Sequence, residues 1–275
     1  MVHCRGRVLT MARPRLSAAH FTGAFSLSGA GLLALVDARL ALIPLLSFVS
    51  ICAMAPFLPR LGFFLPIISR GSSGKPAVAI TFDDGPDPVT TPPLLDLLST
   101  HGVRATFFVT GKKASENPLL VREILRQGHE VGNHSYSHDN FIMLKGTRVL
   151  MREIESTQRI LEGFGIRPLA FRPPVGITNP RLGKVLNRSN MYNVNFSCRA
   201  FDGGNRWIKN LAERILRRVH VDAIIALHDV RPADHTLVPY WLNQIELILS
   251  GLRERGLMVL PLPELIGRRV MVRLL

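Results

Sequence analysis

The sequence predicts an α/β fold: an irregular (β/α) barrel of about seven parallel strands, preceded by an N-terminal membrane segment. Three observations predict it. Short apolar runs rich in β-branched and aromatic residues alternate with helical patterns from residue 71 onward, and a long apolar stretch precedes them. Chemistry-bearing residues recur at the C-terminal ends of the predicted strands; a barrel gathers these on one face, whereas an open sheet brings together only those near a switch point.

Residues 1–20 read as a basic tail carrying Arg5, Arg7, Arg13 and Arg15. Residues 21–70 form the expected hydrophobic anchor, whose apolar stretch from Phe21 to Ile68 is broken only by Asp37, Arg39 and Arg60. Within it, Leu40 to Leu58 carries no charge and has about the length a helix needs to cross the hydrocarbon core. Phe21 to Val36 is shorter and holds three glycines, so it fits a short second span, a reentrant piece or an interfacial helix. A cleaved signal peptide fits less well, because the run is long and starts late. Arginines flank both sides, so one span would put the following domain outside and two would keep it inside. The expectation is anchoring in a bacterial inner membrane with the C-terminal domain facing the periplasm or exterior.

Gly71-Ser72-Ser73-Gly74-Lys75-Pro76 reads as a short flexible linker opening a domain over 71–268, with 269–275 as a C-terminal tail. Strands are expected at Val78–Phe82, Ala105–Val109, Glu130–Asn133, Leu169–Arg172, Tyr192–Phe196, Ala223–Leu227 and Leu257–Leu260. Thr91 and Pro92 open a helix that Gly102 closes; Asn117 and Pro118 open another that Gly128 closes. Longer helical periodicity covers Thr147–Phe164, Asn210–His220 and Leu237–Arg255.

With 275 residues, 47% of them hydrophobic, the chain can bury a full core. A formal charge of +14 raises nucleic-acid binding, but Lys and Arg are scattered without a recognition motif, so a nucleic-acid partner is set aside. Attraction to anionic lipid or an acidic envelope accounts for the charge equally well. Cys4, Cys52 and Cys198 form neither a disulfide framework nor a structural zinc site. Protein partners cannot be read.

Asp83-Asp84-Gly85 ends an apolar strand, so two adjacent carboxylates point different ways: one can hold a metal while the other faces its open position. An Asx-type turn would use the same residues. His134 and His138 follow another strand, and with a carboxylate they make the three-ligand set of a catalytic divalent metal. Phe171-Arg172-Pro173-Pro174-Val175-Gly176 pairs a cation with a donor-poor turn whose first free N–H belongs to Val175. Arg172 can keep a neighbouring carboxylate ionised, or serve a purely structural ion pair. His228, in Leu227-His228-Asp229, offers a general acid. His101, His129, His220 and His235 lack motif context and read as surface or cap residues.

Together these residues resemble the polysaccharide deacetylase family, the NodB homology domain also called carbohydrate esterase family 4. The resemblance covers about Lys75 to Leu265, through Thr81-Phe82-Asp83-Asp84-Gly85, His134-Ser135-Tyr136-Ser137-His138, Arg172-Pro173-Pro174-Val175-Gly176 and Leu227-His228-Asp229. It implies that Asp84, His134 and His138 bind a divalent metal, commonly zinc, with cobalt, manganese or nickel as substitutes. It implies further that Asp83 is the base, Arg172 its orienting partner, Val175 the backbone oxyanion donor and His228 the acid. Leu227 and Pro174 would line the acetyl pocket. Ser197-Cys198-Arg199-Ala200-Phe201-Asp202-Gly203 departs from the commonest fourth motif: it keeps Asp202, which would tune His228, but has Arg199 and Gly203 where an acid and a Trp are usual. Val175 also replaces a usual aromatic. The implied function is N-deacetylation of amino sugars in a cell-envelope glycan, polysaccharide or lipid-linked saccharide; the alternatives are removal of a formyl or O-acetyl group, or non-catalytic glycan binding.

Overall fold

The computed structural model describes residues 16–274, so the basic tail up to Arg15, with Cys4, lies outside them. Two compact units divide the chain, Met1–Ala53 and Met54–Leu275.

In the first unit the apolar stretch is two helices, α1 (Ala18–Ala34) and α2 (Leu42–Met54). A turn separates them, in which Asp37 Oδ1 accepts the backbone N–H of Arg39 at 2.8 Å. Pro44 lies in the first turn of α2, and Pro56 opens a 3-10 turn directly after it. These breaks correct the expected membrane segment: no helix among the described residues is long and apolar enough to cross a membrane. The 13 residues of α2 span roughly 20 Å at about 1.5 Å each, short of the ~30 Å hydrocarbon core.

The second unit contains β1 (Ile67–Ile68), β2 (Ala77–Asp83), β3 (Thr106–Val109), β4 (Glu130–Asn133), β5 (Ile166–Pro168), β6 (Ala170–Phe171), β7 (Tyr192–Val194), β8 (Cys198–Arg199), β9 (Ile224–His228), β10 (Met258–Val259) and β11 (Met271–Arg273). Its helices are α3 (Thr91–Thr100), α4 (Gly111–Glu116), α5 (Pro118–Arg126), α6 (Thr147–Glu162), α7 (Pro180–Arg188), α8 (Leu211–Leu216), α9 (Val238–Glu254) and α10 (Leu262–Ile266). Eight parallel strands run in the order β1-β7-β6-β4-β3-β2-β9-β8, and β10 joins β2. Since β1 and β8 do not pair, the sheet is a curled half-barrel of eight strands in place of the irregular barrel of about seven expected from sequence.

Alternation along β2 sets the layers. Val78, Ile80 and Phe82 pack outward into the core formed with α3 and α9, among Leu94, Leu98, Trp241 and Ile245. Burying each such side chain contributes about 1.5–3 kcal/mol. Ala79 joins Phe108 and Ala226 on the inner face, where Thr81 and Asp83 follow at the same period. Small and polar residues there leave room for the site.

The segment read as the end of an anchor belongs to this unit. The Pro56 carbonyl accepts Thr178 N–H, the Pro59 carbonyl accepts the Asn195 amide at 2.9 Å, and β1 pairs with β7. The expected flexible linker is tied at its start: a Cβ on Gly71 would lie 2.5 Å from Leu265 Cγ, and Ser73 donates to Asp222 Oδ1 from its backbone and its hydroxyl. Residues read as a C-terminal tail include β11, antiparallel to β5.

Candidate active site

Asp83 is the last inward residue of β2, and Asp84 follows in the left-handed region at φ 72, which turns the two carboxylates apart. An aspartate tolerates that conformation better than most residues. A Cβ on Gly85 would come within 2.4 Å of Asp229 Oδ2, so the turn also needs its glycine.

Asp84 Oδ1 lies 3.2 Å from His134 Nε2 and 3.0 Å from His138 Nε2. His134 Nδ1 lies 2.7 Å from the Arg172 carbonyl, which places its hydrogen on Nδ1 and leaves Nε2 a lone pair facing Asp84. Asp84 Oδ1 is buried and receives no well-directed hydrogen bond despite its two imidazole neighbours. Three lone-pair donors therefore converge, all within 4.8 Å of one another, as a divalent cation requires. Burial opposes ionisation of Asp84, but protons on the facing nitrogens of His134 and His138 outweigh it and hold the carboxyl well below its usual range, the place a metal cation would take when the imidazoles are neutral.

The loop between the histidines is held from α6. Glu153 accepts the backbone N–H groups of Tyr136 and Ser137 at 3.1 and 2.8 Å and the Ser137 hydroxyl at 3.0 Å. Ser135 and His138 both sit at positive φ, 66 and 54. Nothing in the sequence around Glu153 marked this role, because its partners are distant along the chain.

Arg172 is fully buried inside the half-barrel. Its Nη1 donates to Asp83 Oδ1 and Thr81 Oγ1, each at 2.7 Å, while Nε and Nη2 donate to the Val194 and Asn195 carbonyls. The guanidinium carbon stands 4.0 Å from the Phe108 ring centroid. Burial lowers the arginine's pKa against the support of Asp83, yet an arginine stays protonated throughout the physiological range.

Val175 adopts φ 58, ψ 3, strained for a β-branched residue, and its N–H donates to no partner among the described residues. On the other side, His228 Nδ1 is 2.9 Å from Asp202 Oδ2. Burial disfavours the imidazolium, but Asp202, then Asp84 and Asp83, push its pKa up to about 9. Asp202 is held below its usual value by the same pairing, against its burial. Asn205, which sequence reading missed, donates to the His228 and Val230 carbonyls and so fixes the loop beside the acid.

Neither expected pocket residue, Leu227 or Pro174, is among those lining the cavity at the triad. Leu227 packs in the outer, helix-side core, because alternation along β9 turns Ala226 and His228 inward instead. Pro174 is buried in the 3-10 turn Pro174–Gly176. The cavity at the triad, about 340 Å³, is walled by Asp84, Thr110, Lys112, Tyr136, His138 and Val230 among others. Of the remaining histidines, His129 is buried and not on the surface: its Nδ1 accepts Ala105 N–H, and burial, with Arg104 nearby, lowers its pKa to about 4.

Residues 70–194 match the polysaccharide deacetylase family model. A chitooligosaccharide deacetylase from Sinorhizobium fredii is 31% identical over 211 residues, covering 73% of this chain and 97% of that one. Among solved structures, a peptidoglycan N-acetylglucosamine deacetylase in complex with an N-oxidanyl-benzamide superposes with TM-score 0.68 at 29% identity, covering 74% of this chain and 94% of that one. A pseudoenzyme of carbohydrate esterase family 4 from Bacillus anthracis also matches, with TM-score 0.64, 26% identity and coverage of 73% and 68%. Fold likeness alone therefore does not separate active from inactive relatives; the site residues must.

Proposed function

The chain belongs to the polysaccharide deacetylase family, and from that premise we propose that it is a metal-dependent hydrolase removing N-acetyl groups from amino sugars of a glycan. The observation that carries the proposal is the convergence of Asp84, His134 and His138, flanked by the Asp83–Arg172 and His228–Asp202 pairs. A non-catalytic binding protein has no use for both flanking pairs.

Asp84, His134 and His138 would hold the metal, with zinc the first choice for a site of two imidazoles and one carboxylate. When bound, such a cation supplies Lewis acidity and brings the pKa of water toward neutrality. Arg172 holds Asp83 fixed through one carboxylate oxygen, so that its free oxygen can take a proton from the attacking water. Val175 N–H is free to donate to the oxyanion that develops at the amide carbonyl; one such donor is worth about 10²–10³ in rate. His228, kept protonated at neutral pH by Asp202, delivers a proton to the departing amine.

Chitooligosaccharide- and peptidoglycan-like chains are the substrate classes suggested by the relatives. A cell-envelope glycan would place the domain at the periplasmic or exterior side. Formyl or O-acetyl removal is the second reading, favoured by Gly203 where the family's usual Trp would wall the pocket. A panel of N-acetyl, N-formyl and O-acetyl amino sugars decides between them: acetate from the N-acetyl sugar supports the first reading, and formate or O-linked acetate alone supports the second.

A further inference from the structure

After β8 the chain coils through left-handed residues at Phe201, Gly203, Gly204 and Asn205, with φ of 57, 61, 70 and 61. This coil faces two ways. Asp202 turns inward to His228 and is 2% exposed, whereas its neighbour Phe201 turns outward and is 56% exposed. Gly204 stays on the metal side, where a Cβ would lie 3.7 Å from Asp84 Oδ2. On the outward side the coil, Trp207 and α8 line an open depression of about 730 Å³, larger than the one at the triad and wide enough to seat a small ligand.

Four cations line that depression, Lys209, Arg214, Arg217 and Arg218, against one carboxylate, Glu213. Arg214 is committed to the loop: it donates to the Ala200, Phe201 and Trp207 carbonyls. Arg217 meets Glu213 at 2.7 Å in an exposed pair that ligand binding can break at little cost. Arg218 donates only to the Arg214 carbonyl, and Lys209 has no partner among the described residues. Arg199 and Arg218 stand over the Phe201 ring, 4.2 and 5.6 Å from its centroid. Charge is thus gathered here without matching carboxylates. Both departures from the family's fourth motif bear on it: Arg199, beside the lining, stacks on Phe201, and Gly203 makes room for Trp207, since a Cβ there would lie 2.7 Å from Trp207 Cζ3.

We propose that this pocket binds a phosphate group carried by the substrate, so that the enzyme acts on an N-acetyl amino sugar joined through phosphate or diphosphate to a carrier. Several guanidinium and ammonium groups suit a multiply charged phosphate, which Arg contacts through paired N–H donors, whereas a lone carboxylate needs only one. The exposed ring of Trp207 suits the apolar face of an adjoining sugar ring. The substrate assignment rests on the deacetylase reading; the anion site itself does not.

The test is titration of the full, metal-stripped chain with inorganic diphosphate and with N-acetylglucosamine 1-phosphate, followed by tryptophan emission. Trp207 is exposed and Trp241, the other tryptophan, is buried, so the signal reports this pocket. Expected are saturable binding that weakens with salt and at least tenfold weaker binding in Arg217→Ala/Arg218→Ala. Arg148→Ala/Arg152→Ala, which removes equal charge from α6, leaves affinity unchanged. If the first variant lacks the wild-type circular dichroism, Arg218→Gln replaces it. No saturable response, an equal loss in both double variants, or a stronger response to glucuronate than to diphosphate overturns the proposal. Because no metal or turnover enters, failure of the deacetylase reading shows separately, as absent acyl release.

Discussion

The backbone carbonyl of Arg172 lies 2.7 Å from Nδ1 of His134, while the guanidinium of the same arginine holds Asp83 at 2.7 Å. One buried residue thereby orients a metal ligand through its main chain and the base through its side chain. Because both contacts stem from a rigid stretch before two prolines, the ligand set and the base keep a fixed spacing.

Replacing Asp83 by Asn should abolish turnover and leave zinc affinity near wild type, whereas Asp84→Asn should lose both. Zinc titration calorimetry beside an acyl-release assay checks this. Loss of zinc from Asp83→Asn would reverse the two assignments.

Arg172→Met strips the buried carboxylate of its counter-charge and should cost about 3–5 kcal/mol in urea unfolding. Combined with Asp83→Asn, the cost should shrink, since no uncompensated charge is then left inside. Strictly additive losses would mean that Arg172 acts through packing on Phe108 and not through the ion pair.

Asp202→Asn removes the main support of the His228 imidazolium. A group needed in its protonated form loses activity as pH rises through its pKa, so the alkaline limb of the wild-type profile should fall above the ordinary histidine value and no higher than about 9, since a bound cation offsets the support from Asp84 and Asp83. In the variant it should move toward the ordinary histidine value of about 6.5 and cost roughly tenfold or more at pH 8, with a smaller loss at pH 6. An unmoved limb would remove Asp202 from this role.

Glu153→Ala releases three donors of the loop between His134 and His138. Zinc affinity should fall about 10–100-fold while the fold persists. Competition with a chromogenic chelator measures it, and unchanged affinity would show that the loop holds itself.

The distribution of signal in the sequence explains which parts could be read from it. Strand β2 was legible because Val78, Ile80 and Phe82 alternate with small or polar residues and end on two carboxylates. Helices α3 and α5 carried Pro near their starts and Gly after their ends. Two-residue strands such as Cys198–Arg199 are too short for any period, and α7 was passed over although Asn179 and Pro180 open it with a genuine cap. Hydropathy misled over residues 21–70: apolar content suggested a span, while Asp37, Pro44 and Pro56 cut it into short helices. At the site, Asp83, Asp84, His134 and His138 stood in compact motifs, but Glu153 and Asn205 act across long sequence separations. Leu227 and Ala226 differ by one position, and only the inward register of His228 tells which faces the interior.

The most direct test of the central claim is acetate release from N-acetylglucosamine oligomers by the full chain, before and after chelation and after zinc is restored. The account predicts release that chelation abolishes and zinc recovers, and that Asp83→Asn never shows. Release that persists without metal, or a chain that binds zinc at Asp84, His134 and His138 yet frees no acyl group from any amino sugar, would contradict it.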